Sequence, residues 1–225
     1  MGEFIAIEGG DGSGKGTQTE LYRTYAEKTL KQPVLKLSFP RYGEDSAYYV
    51  ERYLNGAYGA ANDVHPELGI LPYALDRFAA RNEIIDHLKL PDSLVIADRY
   101  MASNLAHQGV KIDDKNERKA FYERTMHTEY DIFGIPRPSK NIVLLMPANL
   151  AQENVDKKST RSYTTQKRDI HEADATHLEK AKSNYEELCR YYPKEFIAVQ
   201  CTNEKGVMRT IDDIQEEIRR IIARS

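Results

Sequence analysis

The chain is poor in cysteine, lacks a long hydrophobic run and carries no excess of positive charge. Its 2 cysteines, Cys189 and Cys201, form no disulfide framework and favour a reducing compartment. No apolar stretch approaches the ~20 residues that a membrane-spanning helix needs. A formal net charge of −3 provides no basic surface for nucleic acid. The first residues lack the layout of a secretory signal, so we expect a cytoplasmic protein without membrane or nucleic-acid partners.

The order of apolar and helical patterns predicts one α/β domain over residues 1–225. The 225 residues are 40% hydrophobic, which is enough to build a core. Short continuous apolar strands that alternate with helices indicate a parallel sheet covered on both faces. The predicted strands are 4–7, 34–39, 93–97, 142–146 and 196–199. The predicted helices are those from near Gly14, 46–54, 65–88, 114–130, 178–192 and 207–221. Ligands of such a sheet bind at the carboxyl ends of its strands.

A glycine-rich segment follows the first predicted strand and matches the pattern G-x-x-x-x-G-K at Gly9, Gly14 and Lys15. Glycines allow backbone N–H groups to converge on phosphate oxygens, and the following helix adds its positive dipole end. Lys15 would reach the outer phosphates of a nucleotide. The predicted phosphate-binding residues are Gly9, Gly12, Ser13, Gly14, Lys15, Gly16 and Thr17. The alternative is a glycine turn that merely joins strand to helix.

The position after Lys15 departs from the motif, which has Ser or Thr there to hold Mg²⁺. Gly16 occupies this position and Thr17 follows it. Either Thr17 replaces the missing hydroxyl, or the metal is held mainly through water. Asp98 ends an apolar strand, where its carboxylate is a second candidate magnesium ligand. Its alternative role is that of a helix N-cap.

Arginines and aromatics at strand ends and on one helix suggest an acceptor site. Arg99 would clamp an anionic acceptor and neutralise charge on a transferring phosphoryl group, or else form a structural ion pair. Tyr73 and Arg77 are four residues apart and share a helix face. Together they could stack on a base and bond its edge, although such pairs often reflect surface packing alone.

Four segments, taken together and in order, resemble the thymidylate kinase family. They are 8–15 (EGGDGSGK), 39–43 (FPRYG), 73–77 (YALDR) and 98–104 (DRYMASN). The resemblance implies a three-layer P-loop kinase fold with a five-stranded parallel sheet, and a mobile lid at about 157–168. It also implies a homodimer that uses ATP and Mg²⁺.

The resemblance further implies a set of dTMP-binding residues. These are Asp11, Phe39, Arg41, Tyr73, Arg77, Arg99, Asn104, His107, Gln108 and Tyr185. Arg41 would hold the 5′-phosphate, Tyr73 would stack on thymine, and Arg77 would bond the edge of the base. Arg99 would bridge the donor and acceptor phosphates. Asp11 would contact the sugar 3′-hydroxyl or organise the metal.

Two positions depart from the resembled pattern. His107 stands where relatives carry a Phe or Tyr that crowds a ribose 2′-hydroxyl, so that imidazole either excludes or bonds this hydroxyl. The lid segment 169–172 (DIHE) lacks the arginine of the bacterial Asp-Arg-x-Glu pattern. Arg161 or Arg168 is the catalytic lid arginine that we expect instead. The alternative is a solvated basic loop, as most charge runs are.

The implied reaction is direct transfer of the ATP γ-phosphoryl group to dTMP, which gives dTDP and ADP for dTTP synthesis. The acceptor is already an anion, so catalysis is positioning plus electrostatics. The expected catalytic residues are Lys15, Arg99, Asp11, and Arg161 or Arg168. One rival is another nucleoside monophosphate kinase, since residues 14–18 (GKGTQ) also resemble adenylate kinase. A GTP-driven switch is disfavoured by the absence of an N-K-x-D motif, and a catalytically silent nucleotide-binding module is the third alternative.

Overall fold

The computed structural model describes residues 2–156 and 175–223. Within these ranges the chain forms a 5-stranded sheet in the order β2-β3-β1-β4-β5, and every neighbouring pair is parallel. The strands are β1 (Glu3–Gly9), β2 (Val34–Ser38), β3 (Leu94–Asp98), β4 (Lys140–Leu145) and β5 (Phe196–Gln200). This confirms the predicted parallel sheet. The predicted lid, with Arg161 and Arg168, lies outside the described residues.

Helices connect the strands and cover both faces of the sheet. In chain order they are α1 (Lys15–Tyr25), α2 (Tyr48–Leu54), α3 (Pro66–Gly69), α4 (Leu71–Ala79), α5 (Arg81–Leu88), α6 (Met101–Gly109), α7 (Lys115–Met126), α8 (Ala148–Asp156), α9 (Ala175–Tyr191) and α10 (Ile211–Ile222). Single π-helical turns continue α1 and α7, over Ala26–Leu30 and His127–Ile132. None of the helices described has the length and apolar content needed to cross a membrane.

The central strand β1 is buried on both faces, as its continuous apolar run predicts. Phe4 and Ala6 belong to one apolar core, which includes side chains of α6, α7 and α9. Ile5 and Ile7 belong to the other, which includes side chains of α1 and α10. Because successive side chains of a strand point to opposite faces, β1 joins the two cores and holds the segment that follows it.

The helix expected over 65–88 is divided into α3, α4 and α5. Pro72 occupies the first turn of α4, where the missing N–H of proline is tolerated. The same residue could not continue α3, because it cannot donate a hydrogen bond to an upstream carbonyl. The second break falls at Ala80, whose ψ of −7° departs from helical values. The single long helix is therefore a wrong prediction.

The last helix begins later than the apolar spacing suggested. Thr210 caps α10, since its side chain accepts a hydrogen bond from the Asp213 N–H at 3.1 Å. Val207 lies before the cap and is 58% exposed, and Ile211 is 55% exposed. The predicted core stripe is thus wrong for these two residues, whereas Ile214 and Ile218 are buried.

Candidate active site

A cavity of about 480 Å³ opens at the carboxyl ends of the strands. Its lining brings together segments that follow β1, β2 and β3, together with α4 and α6. The lining residues are Asp11, Gly12, Gly14, Lys15, Gly16, Ser38, Phe39, Pro40, Tyr42, Leu54, Tyr73, Arg77, Asp98, Arg99, Tyr100, Ser103, Asn104, His107 and Gln108. Most of the predicted site residues therefore meet in one cavity at the expected edge of the sheet.

The glycine-rich segment forms a tight loop between β1 and α1. Gly12 and Gly14 have φ values of 77° and 89°, in the left-handed region that glycine enters without a steric penalty. Lys15 is 7% exposed, and its Nζ donates to the Gly10 carbonyl at 2.7 Å. Burial, assisted by the nearby Arg99 charge, lowers the pKa of Lys15 to about 8. A bound phosphate would favour the charged form and raise this pKa again.

Helix α8, which the sequence patterns did not predict, packs directly against this loop. Asn154 donates from Nδ2 to the Gly12 carbonyl at 2.9 Å. A Cβ atom placed on Gly12 would lie 2.0 Å from the Ala151 carbonyl oxygen. Backbone of α8 thus occupies the space beside Gly12, and the loop cannot move outward without displacing the helix.

We expect Gly12→Ala to lower the free energy of unfolding by about 2 kcal/mol or more, because the left-handed backbone and the overlap with α8 both oppose a methyl group. Gly206→Ala is the matched control: its φ of 74° is similar, but no atom lies within 4 Å of the added Cβ. Urea denaturation of both variants measures the difference. Equal losses would show that α8 does not press on the loop as described.

Arg99 joins the loop to α6. Its φ of 67° places a non-glycine residue in the left-handed region, which stores strain next to the cavity. One terminal nitrogen donates to the Gly9 carbonyl at 3.2 Å and to Ser103 Oγ at 3.1 Å, and the other pairs with Asp11. Burial opposes the charge on Arg99, but Asp11 and neighbouring acids hold its pKa well above the usual value. The guanidinium is therefore charged, oriented and part of the cavity wall.

Glu8 supports this arrangement from beneath, and sequence reasoning assigned it no role. The fully buried carboxylate accepts hydrogen bonds from the Tyr100 N–H at 2.8 Å and from Ser103 Oγ at 2.6 Å. Burial raises the pKa of Glu8. Tyr185 also donates to Ser103 Oγ, at 2.9 Å, and is 1% exposed. The Tyr185 hydroxyl also lies 3.2 Å from the Gly9 carbonyl oxygen, so Tyr185 contacts the loop from outside the main cavity lining. An acidic residue inside an otherwise apolar strand was the available signal for Glu8.

Tyr73 and Arg77 of α4 both line the cavity and so form one part of its wall, as their spacing predicted. Arg77 is 1% exposed and makes a bidentate pair with the fully buried Glu129, at 2.7 and 2.6 Å. A buried guanidinium of this kind needs its carboxylate, because an unpaired buried charge is strongly destabilising. The sequence patterns did not indicate Glu129 as the partner of this buried arginine.

Arg41 lies outside the cavity lining. Its Nε donates to Asp76 Oδ1 at 3.0 Å, its backbone N–H donates to Asp76 Oδ2 at 2.8 Å, and a terminal nitrogen donates to Ser46 Oγ at 2.8 Å. Its neighbour Phe39 does line the cavity. The structure thus brings Phe39 to the site and holds Arg41 behind it on Asp76.

Three polar side chains of α6 complete the wall of the cavity. Asn104 donates from Nδ2 to the Ile70 carbonyl at 3.2 Å, and its buried Oδ1 has no hydrogen-bond partner among the described residues. His107 Nδ1 lies 3.2 Å from His177 Nε2. Gln108 is 1% exposed and contacts the Tyr53 hydroxyl. Asn104, His107 and Gln108 all line the cavity.

Of the two candidate metal ligands, Asp98 and Thr17, only Asp98 lines the cavity. Asp98 lines the cavity next to the start of α1, and a Cβ on Gly16 would lie 3.1 Å from Asp98 Oδ2. Thr17 is exposed and lies outside the cavity lining. Across residues 2–156 and 175–223, no group of three His, Cys, Asp or Glu side chains could hold a metal ion. Asp98 fits a hard cation that takes its remaining oxygen ligands from phosphates and water.

Comparison with known proteins identifies the family of this chain. The family model described as Thymidylate kinase matches residues 7–211. The chain belongs to the thymidylate kinase family. Thymidylate kinase of Mycobacterium tuberculosis is 33% identical over 187 residues, which are 82% of this chain and 85% of the relative. That of Kosmotoga olearia is 26% identical over 96% of this chain and 92% of the relative.

Solved structures of thymidylate kinases share the fold. The enzyme of Candida albicans superposes with a TM-score of 0.69 at 19% identity, over 99% of this chain and 91% of that chain. The enzyme of Ehrlichia chaffeensis gives a TM-score of 0.66 at 18% identity, over 98% of each chain. The P-loop kinase fold predicted from the motifs is therefore confirmed for the described residues.

Proposed function

We propose that this chain transfers the γ-phosphoryl group of ATP to the 5′-phosphate of dTMP, which gives dTDP and ADP for dTTP synthesis. Family membership supports this reaction, and the cavity has the two ends that it requires. One end is the glycine-rich loop with Lys15, and the other is the wall formed by Tyr73 and Arg77. Arg99 also lines the cavity and is ion-paired with Asp11.

Because the acceptor phosphate is already an anion, the reaction requires correct positioning and positive charge and does not require a strong general base. The glycine-rich loop and Lys15 hold the donor phosphates, and Arg99 faces both phosphates and neutralises charge that develops during transfer. Asp11 keeps the Arg99 guanidinium oriented. Mg²⁺, when bound, would supply positive charge next to the phosphates, and Asp98 is the residue that would hold it directly or through water. Arg161 or Arg168 remains our candidate for an additional lid charge.

The observation that best supports thymine as the base is the buried Asn104 Oδ1, which has no hydrogen-bond partner among the described residues. A buried acceptor without a partner costs about 1–3 kcal/mol, which a ligand N–H would offset. Thymine offers a donor at N3, whereas cytosine presents an acceptor there. Tyr73 would stack on the ring, and Arg77 would donate to a base carbonyl. This combination favours a thymine base over a cytosine base.

We expect Asn104→Leu to lower kcat/KM for dTMP about tenfold to a hundredfold, since a hydrogen bond to a buried acceptor is worth about 1–3 kcal/mol. The value for dCMP should change less, so the ratio of the two falls. A coupled assay of ADP release with ATP and Mg²⁺ measures both acceptors. Asn116→Leu, at an exposed position on α7, is the control. An unchanged ratio in Asn104→Leu would remove Asn104 from base selection.

Three further assignments are part of the proposal. His107 lines the cavity, and we assign to its imidazole a contact with the sugar, where it either excludes or bonds a ribose 2′-hydroxyl. The homodimer is supported by exposed apolar side chains of α3 and α4, Leu68, Leu71, Leu75 and Phe78. Sedimentation of the purified chain would measure this assembly. The cytoplasmic location and the single domain over 1–225 stay predictions from the sequence.

A further inference from the structure

Gln108 is held in the acceptor wall by side chains that lie behind the cavity. Its Nε2 lies 3.2 Å from the Tyr53 hydroxyl oxygen, and its Oε1 lies 3.5 Å from the same atom. Gly69 of α3 leaves space for the amide, because a Cβ there would lie 2.3 Å from Gln108 Oε1. Gln108 and Tyr53 are each 1% exposed. The orientation of the amide is therefore decided by buried contacts and not by solvent.

Tyr53 also touches the residue expected to stack on the base. The rings of Tyr53 and Tyr73 meet edge to face, with centroids 6.2 Å apart and an interplanar angle of 83°. Tyr53 therefore contacts two side chains of the acceptor wall, Tyr73 through its ring and Gln108 through its hydroxyl. A change in the position of Tyr53 would therefore alter the positions of both Tyr73 and Gln108.

Lys111, just beyond the end of α6, holds the Tyr53 hydroxyl. Its Nζ donates to Tyr53 Oη at 3.2 Å and to the Val64 carbonyl at 2.8 Å, and it lies 5.6 Å from the centroid of the Tyr53 ring. An ammonium group is a donor only, so Lys111 uses one lone pair of the hydroxyl oxygen. The same oxygen can accept from Gln108 Nε2, and the hydroxyl can donate to Gln108 Oε1. With Lys111 charged, the hydroxyl oxygen must accept from the ammonium, which restricts its remaining hydrogen bonds.

We propose that Lys111 is a positioning residue that acts through the Tyr53 hydroxyl to fix the Gln108 amide in the base-binding wall of the acceptor site. The inference rests on the proposed function, because it concerns how that site binds its nucleotide. Lys111 lies outside the cavity lining and makes no contact with the phosphate loop. Its loss should weaken binding of the acceptor and leave the transfer step intact.

The environment of Lys111 adds a pH-dependent readout. In the described residues, the groups that face Nζ are the Tyr53 hydroxyl of α2 and the Val64 carbonyl before α3, and no carboxylate pairs with it. Burial lowers the pKa of Lys111 to about 8. As pH rises through 8 the ammonium becomes a neutral amine, which can accept as well as donate, so the hydroxyl is no longer forced to accept from Lys111. KM for dTMP should therefore rise between pH 7 and pH 9, at saturating ATP.

The test is a double-mutant cycle of Lys111→Met and Tyr53→Phe, with KM for dTMP and kcat measured at pH 7. Each single variant should raise KM about fivefold with kcat nearly unchanged, as loss of one hydrogen bond predicts. The double variant should resemble either single one, because Lys111 acts through the hydroxyl. Lys119→Met, an exposed lysine on α7, should leave KM unchanged.

The possible results distinguish failure of the proposed function from failure of the positioning role of Lys111. Wild-type protein that does not phosphorylate dTMP overturns the proposed function itself. Active wild type with multiplicative effects in the double variant, or with unchanged KM in both single variants, overturns the positioning role alone. If Lys111→Met does not fold, Tyr53→Phe decides through its pH profile. Its KM should be flat from pH 7 to pH 9, whereas a rise like that of the wild type would overturn the inference. Titration of Lys15, whose pKa is also about 8, affects the wild-type protein and Tyr53→Phe alike, so it cannot cause a difference between their pH profiles.

Discussion

Replacing Arg99 by alanine is expected to lower kcat at least ~10²-fold, as removal of one preorganised charge donor typically does. The guanidinium is fixed on three sides, by Asp11, by the Gly9 carbonyl and by Ser103. It therefore does not have to reorganise when charge moves between the phosphates. Because the interaction strengthens as that charge develops, the loss should fall mainly on kcat and less on the KM values.

Two further variants make the Arg99 experiment specific. Arg124→Ala removes an arginine that is ion-paired with Glu67 at 2.7 Å on the exposed surface, and it should retain full activity. Arg99→Lys keeps the positive charge but loses the planar fork that contacts several groups at once, so it should recover only part of the rate. An Arg99→Ala protein that folds and turns over normally would contradict the assignment of Arg99.

The second large effect is expected for Lys15→Met. This change removes the charge that faces the donor phosphates and also the 2.7 Å hydrogen bond to the Gly10 carbonyl. We expect kcat to fall by ~10²-fold or more and KM for ATP to rise, because the lysine contacts the donor before and during transfer. Steady-state kinetics with varied ATP and saturating dTMP measures both. Lys119→Met serves as the lysine control, and normal kcat in Lys15→Met would exclude the predicted role.

The lowered pKa of Lys15 also predicts how the kinetics of the wild-type protein change with pH. With a pKa of about 8, the lysine is protonated below that value and loses its charge as pH rises through it. The protonated form binds phosphate, so kcat/KM for ATP in the wild-type protein should fall above about pH 8. At saturating ATP the bound phosphates keep the lysine charged, and kcat should hold over the same range. In Lys15→Met the fall in kcat/KM should be absent.

Local patterns in the sequence were enough for those parts of the site in which neighbouring residues act together. The glycine-rich loop depends on the spacing of Gly9, Gly14 and Lys15, and the shared wall of Tyr73 and Arg77 depends on helical periodicity. The parallel sheet follows from apolar strands that alternate with helices. Each of these features depends on residues that are close together in the sequence.

Contacts between distant segments could not be predicted in this way. Glu129 lies 52 residues from Arg77, and Asp76 lies 35 residues from Arg41. Nothing in the sequence near either arginine shows which carboxylate will reach it. The same holds for α8, whose backbone meets Gly12, and for Tyr53, whose hydroxyl meets both Gln108 and Lys111. Burial of these groups depends on tertiary packing, which a pattern within one segment does not encode.

Some local signals were present but outweighed by a stronger pattern. Pro72 predicts a helix start, yet the continuous helical periodicity of 65–88 favoured one long element. Thr210 with Asp213 predicts an N-cap, yet the apolar spacing extended the last helix back to Val207. In both cases the structure follows the hydrogen-bonding rule of the backbone instead of the hydrophobic spacing.

Selective phosphorylation of dTMP is tested by turnover of a panel of acceptors. Purified protein is assayed for ADP release with ATP, Mg²⁺ and each of dTMP, its ribose counterpart, dUMP, dCMP, AMP and GMP. The account predicts selective turnover of dTMP, with dCMP disfavoured by Asn104, and the ribose counterpart reports whether His107 selects the sugar. Turnover of AMP in preference to dTMP, or no turnover of any acceptor, would contradict it.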